Sequence, residues 1–345
     1  MEPERRYATS FDGTKIYYEK YGKGPAIIPC NGIGVSTYFW KYLTEYFEET
    51  HTVILWDYRS HGRSGAAPDF SDLTMSTNAR DLKAVMDDAG ISQAVILGHS
   101  MGVQTILEFY RLYPEHVAAL IPVLGSYGKP MDTFLGTDKM KYGFPFIYFF
   151  VNRYPRLTTC MTQTMYKTLF SDVIAFNGAR LIKFINWQHF KIDDLIPYVH
   201  HLKTLDLRAF TNMARHMQNH SALPWLKDIK APTLIIAGED DLFTPWEISE
   251  KMRQLIPGAE MLTIPRGSHA ALVEQPELMN LRIEKFLGER LSGSAWAKSV
   301  LADKSCEAAP PAAKVASDPA PEKKAARAAK PRKARKALVA QANPA

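Results

Sequence analysis

The 345-residue sequence predicts an α/β protein: a mostly parallel, doubly wound sheet, interrupted by a helical insertion and followed by a basic tail. Three observations carry that expectation. Short apolar runs alternate with helix-period segments over residues 1–125, and the alternation resumes over 226–291. Between them, residues 126–225 lose the alternation and read as mainly helical. From 292 to 345 the composition turns to Ala, Pro and Lys with almost no large apolar residue, so this stretch is expected to be a disordered tail.

Segments 15–21 and 26–29 read as strands, 38–47 has helical periodicity, and 52–56 is the next strand. A helix over 77–89 places Ala79, Leu82, Val85 and Met86 on one face, with Gly90 just past its end. The apolar run 93–97 suits a strand buried on both faces. Beyond it Val103, Ile106, Leu107 and Tyr110 recur at helical spacing until Pro114 stops the pattern. Another apolar run covers 117–124. After the insertion come a strand at 232–237, a helix at 246–255, a strand at 260–264 and a last helix at 276–290.

The insertion holds 18 of the 39 aromatic residues, far more than its share, and the run 144–150 is the densest. Most of these rings are expected to be core, with a few lining an apolar pocket. Contact of the 144–150 run with lipid aggregates is a weaker reading. No stretch of 18 apolar residues occurs, which speaks against a transmembrane helix. The first 23 residues show no apolar signal core, and three cysteines are too few for a disulfide framework, so the expected location is cytoplasmic. Residues 304–345 carry ten Lys or Arg against three acids, a net of +7. The formal total is +6, so residues 1–303 sum to −1 and the basic balance belongs to the tail. The tail reads as a solvated extension, or else as a weak site for a polyanion, without the aromatics that stack bases. His216 and His220 are four apart, but Met217 stands where a zinc helix motif needs Glu, so no metal or cofactor is expected.

The chemistry concentrates at Gly98-His99-Ser100-Met101-Gly102, a G-x-S-x-G run between a strand and a helix. A serine hydroxyl is a poor nucleophile unless a base adjoins it, and a tight turn there leaves no room for side chains at 98 and 102. An acid and a base follow in chain order. Gly238-Glu239-Asp240-Asp241-Leu242-Phe243-Thr244-Pro245 and Pro265-Arg266-Gly267-Ser268-His269 each follow a strand, where parallel sheets place their sites. Asp240 and Glu239 compete with Asp241, and His99 is set aside as a base.

On these residues the chain resembles the capped α/β-hydrolases, the group of serine esterases and lipases, over about residues 10–290. Asp241 matches the family's G-x-x-D-x-x-x-P pattern, with Gly238 and Pro245 outermost, and His269 matches its histidine. The resemblance implies catalytic Ser100, Asp241 and His269, with an oxyanion hole made by the backbone amides of Ile33 and Met101. It also marks two departures: Asn31-Gly32 stands where the family usually has His-Gly, and Val103 where a small residue is common. The loop Asp57-Tyr58-Arg59-Ser60-His61-Gly62-Arg63-Ser64 resembles a structural loop of the family. The implied partner is a small ester with an apolar portion, cleaved without a cofactor. The same triad also serves C–C bond hydrolases and cofactor-free perhydrolases. Epoxide hydrolases and haloalkane dehalogenases need a carboxylate where this chain has Ser100. A reading of another class is a non-catalytic ligand-binding protein on the same fold.

Overall fold

The computed structural model describes residues 2–298 apart from 169–171, 182–183 and 187. Eight strands make one sheet: β1 (Glu4–Thr9), β2 (Lys15–Tyr21), β3 (Ala26–Cys30), β4 (Thr52–Trp56), β5 (Ala94–His99), β6 (Val117–Val123), β7 (Leu234–Gly238) and β8 (Glu260–Ile264). Their order is β1-β2-β4-β3-β5-β6-β7-β8. β2 runs antiparallel to both its neighbours, and every pair from β4 to β8 is parallel.

The winding follows from side-chain parity. Successive residues of a strand face opposite sides, and in β3 and β5 both sides are apolar. Ile28 and Ile96 join the core beneath α2 (Met75–Asp88), α3 (Met101–Leu112) and α9 (Trp246–Leu255). Ile27, Val95 and Leu97 join the opposite core, under α1 (Lys41–Phe47), α10 (Ala271–Glu274) and α11 (Pro276–Leu291). The central strands are covered on both faces, as a parallel sheet requires.

Between β6 and β7 lie α4 (Lys139–Arg153), α5 (Pro155–Thr168), α6 (Asp172–Leu181), α7 (Ile192–Thr204) and α8 (Leu207–Asn219). The expectation that most aromatics here are core holds in part, and it lies outside the described side chains for Tyr166, Phe170, Phe176 and Trp187. Phe144 and Phe190 are buried, but Tyr142, Phe146, Phe149, Phe150 and Tyr154 are exposed. α4 packs against α8 through its Phe144, Tyr148 and Val151 side, so its other rings face outward.

Two further differences have physical causes. β1 escapes a pattern reading because five of its six residues are exposed, so this edge strand has no apolar alternation to detect. The folded body also runs past 291, where the sequence predicts the tail to begin. Trp296 is 4% exposed, and its indole N–H donates to the Ala26 carbonyl at 2.8 Å. One aromatic residue in a polar stretch is too little composition to register, yet it is enough to anchor seven residues. Residues 299–345 lie outside those described, and with them the polyanion reading of the tail.

The loop after β4 is built around a buried cation. Arg59 is fully buried, with its guanidinium 2.7 Å from both Asp81 and Asp12. Paired and multiply hydrogen-bonded, such a charge can be held in the interior, whereas loss of either carboxylate would strand it.

Candidate active site

Three loops at the C-terminal ends of β3, β5 and β7, with the loop after β8, converge on one point. Ser100 follows β5 with φ 55 and ψ −114, a left-handed conformation that a non-glycine residue adopts only under constraint. The constraint is steric. A Cβ on Gly98 would lie 2.3 Å from the Gly102 carbonyl oxygen, and one on Gly102 would lie 2.4 Å from that of Cys30. Val103 fits for a related reason: a Cβ on Gly125 would sit 2.3 Å from its Cγ2, so the missing side chain at 125 makes room for the larger one at 103.

Ser100 Oγ lies 3.0 Å from His269 Nε2, and His269 Nδ1 lies 2.9 Å from Asp241 Oδ2. Asp241 also accepts from the amides of Phe243 and Thr244 at 2.8 and 3.0 Å and from the Thr244 hydroxyl at 2.7 Å. Burial alone would push the Asp241 carboxyl up, but the His269 ring and the Thr244 bonds outweigh it and hold the group below its ordinary range. An ionised Asp241 keeps the proton on His269 Nδ1, which leaves Nε2 free to accept from Ser100. The structure thus brings Ser100, His269 and Asp241 together. Asp240 and Glu239 are exposed, and Glu239 accepts from the Arg266 amide instead.

The Asn31-Gly32 loop is firmly held despite its departure from the family pattern. The Asn31 amide donates to the Trp56 carbonyl at 2.7 Å, its oxygen accepts from the Trp40 indole at 3.0 Å, and its carbonyl accepts from Tyr58 at 2.9 Å. Gly32 brings the loop close to Ser100, since a Cβ there would be 3.2 Å from the Ser100 Cβ. Among the described residues no turn or loop acceptor takes the amide hydrogen of Ile33 or Met101.

His99 has a place that sequence reasoning did not give it. Its Nε2 lies 3.0 Å from the His269 carbonyl oxygen, so Nε2 carries the hydrogen and Nδ1 a bare lone pair. Burial, with the adjacent His269, pushes it down to about 3, so the ring stays neutral. Its Nδ1 and the Gln104 Oε1 are both buried without a partner among the described residues, and both residues line the cavity that opens over Ser100. That cavity is about 410 Å³, within the range of small-molecule sites. The inserted segment supplies much of its wall, including Phe134, Phe184, Tyr198, Leu202 and Phe210, and Phe243 stacks on the His269 ring at 5.0 Å. Among the described residues, no Lys, Arg, Asp or Glu lines the cavity.

The family model described as alpha/beta hydrolase fold matches residues 25–276. This chain belongs to the α/β-hydrolase family. Within that family it is 26% identical over 266 residues to RutD of Pseudomonas savastanoi pv. phaseolicola, named for carbamate hydrolysis, covering 76% of this chain and 93% of that one. It is also 26% identical over 284 residues to the 2-hydroxy-6-oxononadienedioate/2-hydroxy-6-oxononatrienedioate hydrolase of Paraburkholderia phymatum, covering 80% and 91%. Among solved structures, a thermophilic esterase from Thermogutta terrifontis superposes with a TM-score of 0.64 at 22% identity, covering 83% and 98% of the two chains. That likeness is one of fold. The α/β-hydrolase signals readable from sequence were local ones. His99 and Gln104 carried none beyond position, Gln104 lying one helical turn after Ser100.

His216 and His220 take other places. His216 lies within α8, and His220, just past its end, has Nε2 3.5 Å from Glu108 Oε2.

Proposed function

We propose that this α/β-hydrolase is a serine hydrolase that cleaves an uncharged carboxylic ester with an apolar portion. The observation that carries the proposal is the unbroken chain of contacts from Ser100 Oγ through His269 to Asp241, at 3.0 and 2.9 Å. In this mechanism His269 Nε2 takes the Ser100 proton as Oγ attacks the ester carbonyl carbon. The Ile33 and Met101 amides stabilise the oxyanion, where fixed donors act without reorganising. Collapse expels the alcohol, which takes the proton back from His269, and leaves an acyl-enzyme on Ser100. Water, deprotonated by His269, then releases the acid. Asp241 stays ionised and offsets the imidazolium charge in both halves.

The pocket supports an uncharged substrate. A dianion of the kind named for the Paraburkholderia relative would bury carboxylates against a wall whose described residues include no cationic side chain, and an unpaired buried charge is costly. Ser100 also lacks the carboxylate that epoxide opening needs at this position.

The test is covalent labelling with a fluorophosphonate, followed by p-nitrophenyl ester turnover across acyl chain lengths. The expected outcome is a single adduct on Ser100. Ser100→Ala should lose on the order of 10⁶ in kcat if the three residues act as a unit. An unlabelled Ser100 with no ester turnover would show the protein to be a binder, and near-normal turnover by the alanine variant would show that Ser100 is not the nucleophile.

A further inference from the structure

α4 presents an aromatic face to solvent, and that face is not the frayed side of a loose helix. Its inner side is fixed: Phe144 and Val151 are buried, and the Tyr148 hydroxyl meets Asn212 Oδ1 of α8 at 3.0 Å. On the outer side Phe146 is 77% exposed and Phe149 64%, with Tyr142 and Phe150 beside them at helical spacing. On α5, which packs against α4, Leu157 and Met161 are also exposed. An exposed row of rings at helical spacing, such as the one on α4, marks an interaction site.

Charge identifies the partner. From 139 to 168 the sequence has Lys139, Lys141, Arg153, Arg156 and Lys167 and no acid at all. Lys139, Lys141, Arg153 and Arg156 are exposed around the aromatic face. Aromatic rings at headgroup depth, flanked by these four cations with Asp138 as the one exposed acid beside α4 among the described residues of 138–168, match an anionic lipid surface. We infer that α4 and α5 dock on an anionic phospholipid bilayer, with the rings of Tyr142, Phe146, Phe149 and Phe150 in the interface and the cations on lipid phosphates. No helix among the described residues is long and apolar enough to cross a membrane, so the attachment is peripheral. This inference stands apart from the reaction at Ser100.

The test is co-sedimentation of the full chain with vesicles of phosphatidylcholine and phosphatidylglycerol in equal parts, against phosphatidylcholine alone. The full chain should sediment with the anionic vesicles and be released by salt. Phe146→Glu with Phe149→Glu should lower the partition coefficient about tenfold or more, with circular dichroism and soluble-ester turnover unchanged. Phe146→Trp should retain binding. A second chain ending at 298 separates these helices from the basic tail. The inference is overturned if the full chain ignores the anionic vesicles, or if the double variant binds like the parent while loss of 299–345 abolishes binding. It is equally overturned if the parent is a dimer and the double variant a monomer, because the face would then belong to a second copy.

Discussion

Gln104 shows what a single side chain adds to a triad. Its carbonyl oxygen, like His99 Nδ1, is a buried acceptor with no partner among the described residues, in the pocket that opens over Ser100. An unpaired buried acceptor costs about 1–3 kcal/mol, and a substrate hydroxyl or amide N–H would recover it. Gln104→Leu should therefore cut kcat/KM about tenfold for esters bearing such a donor, while plain alkyl esters change little. Matched kinetics on the two substrate types measure this, and equal losses on both would refute the role. The contrast with Ser100, Asp241 and His269 explains what a sequence discloses. Each of those three carries its own local signal: a glycine-flanked elbow, a spaced Gly and Pro, or a loop after a strand. Gln104 and His99 matter because of contacts they lack, and a missing contact has no sequence pattern.

Elements inherit the same distinction. Strands buried on both faces were legible from their composition, and β8 and α9 fall at the expected residues. β1 was not, because an exposed edge obeys no burial period. The loop after β4 meets α7 through a pair of histidines: the His61 and His201 rings stack with centroids 6.4 Å apart, near Asp57. Burial pushes His61 down to about 4 and lowers His201 as well. A histidine held neutral when folded but titrating normally when unfolded makes the unfolded chain bind more protons as the pH falls. Stability is therefore intact above the ordinary histidine range and is lost from about pH 6.5 down toward 4. The slope is up to about 1.4 kcal/mol per pH unit for each such histidine. Urea unfolding at several pH values should show this decline, and His61→Gln should flatten it by about one proton. An unchanged slope in that variant would mean the pair titrates as freely in the fold as outside it.

At the scale of the whole molecule, Trp296 ties the last described residues to β3. Removing a buried tryptophan costs about 3–5 kcal/mol, so a chain ending at 291 should melt well below one ending at 298. If both truncations melt alike by calorimetry, Trp296 is not the anchor its burial implies. The insertion was legible as helical but not in how its rings divide, because composition counts aromatic residues without saying which side of a helix meets α8. Trp296 has one more consequence. It is bound at Ala26, where β3 begins, whereas β3 ends at Cys30 and leads straight to Asn31 and the pocket. Trp296 therefore sits at the opposite end of the strands from Ser100. A bead or electrode linked just after Lys298 would hold the protein by its base, leaving the pocket mouth turned toward the flowing substrate.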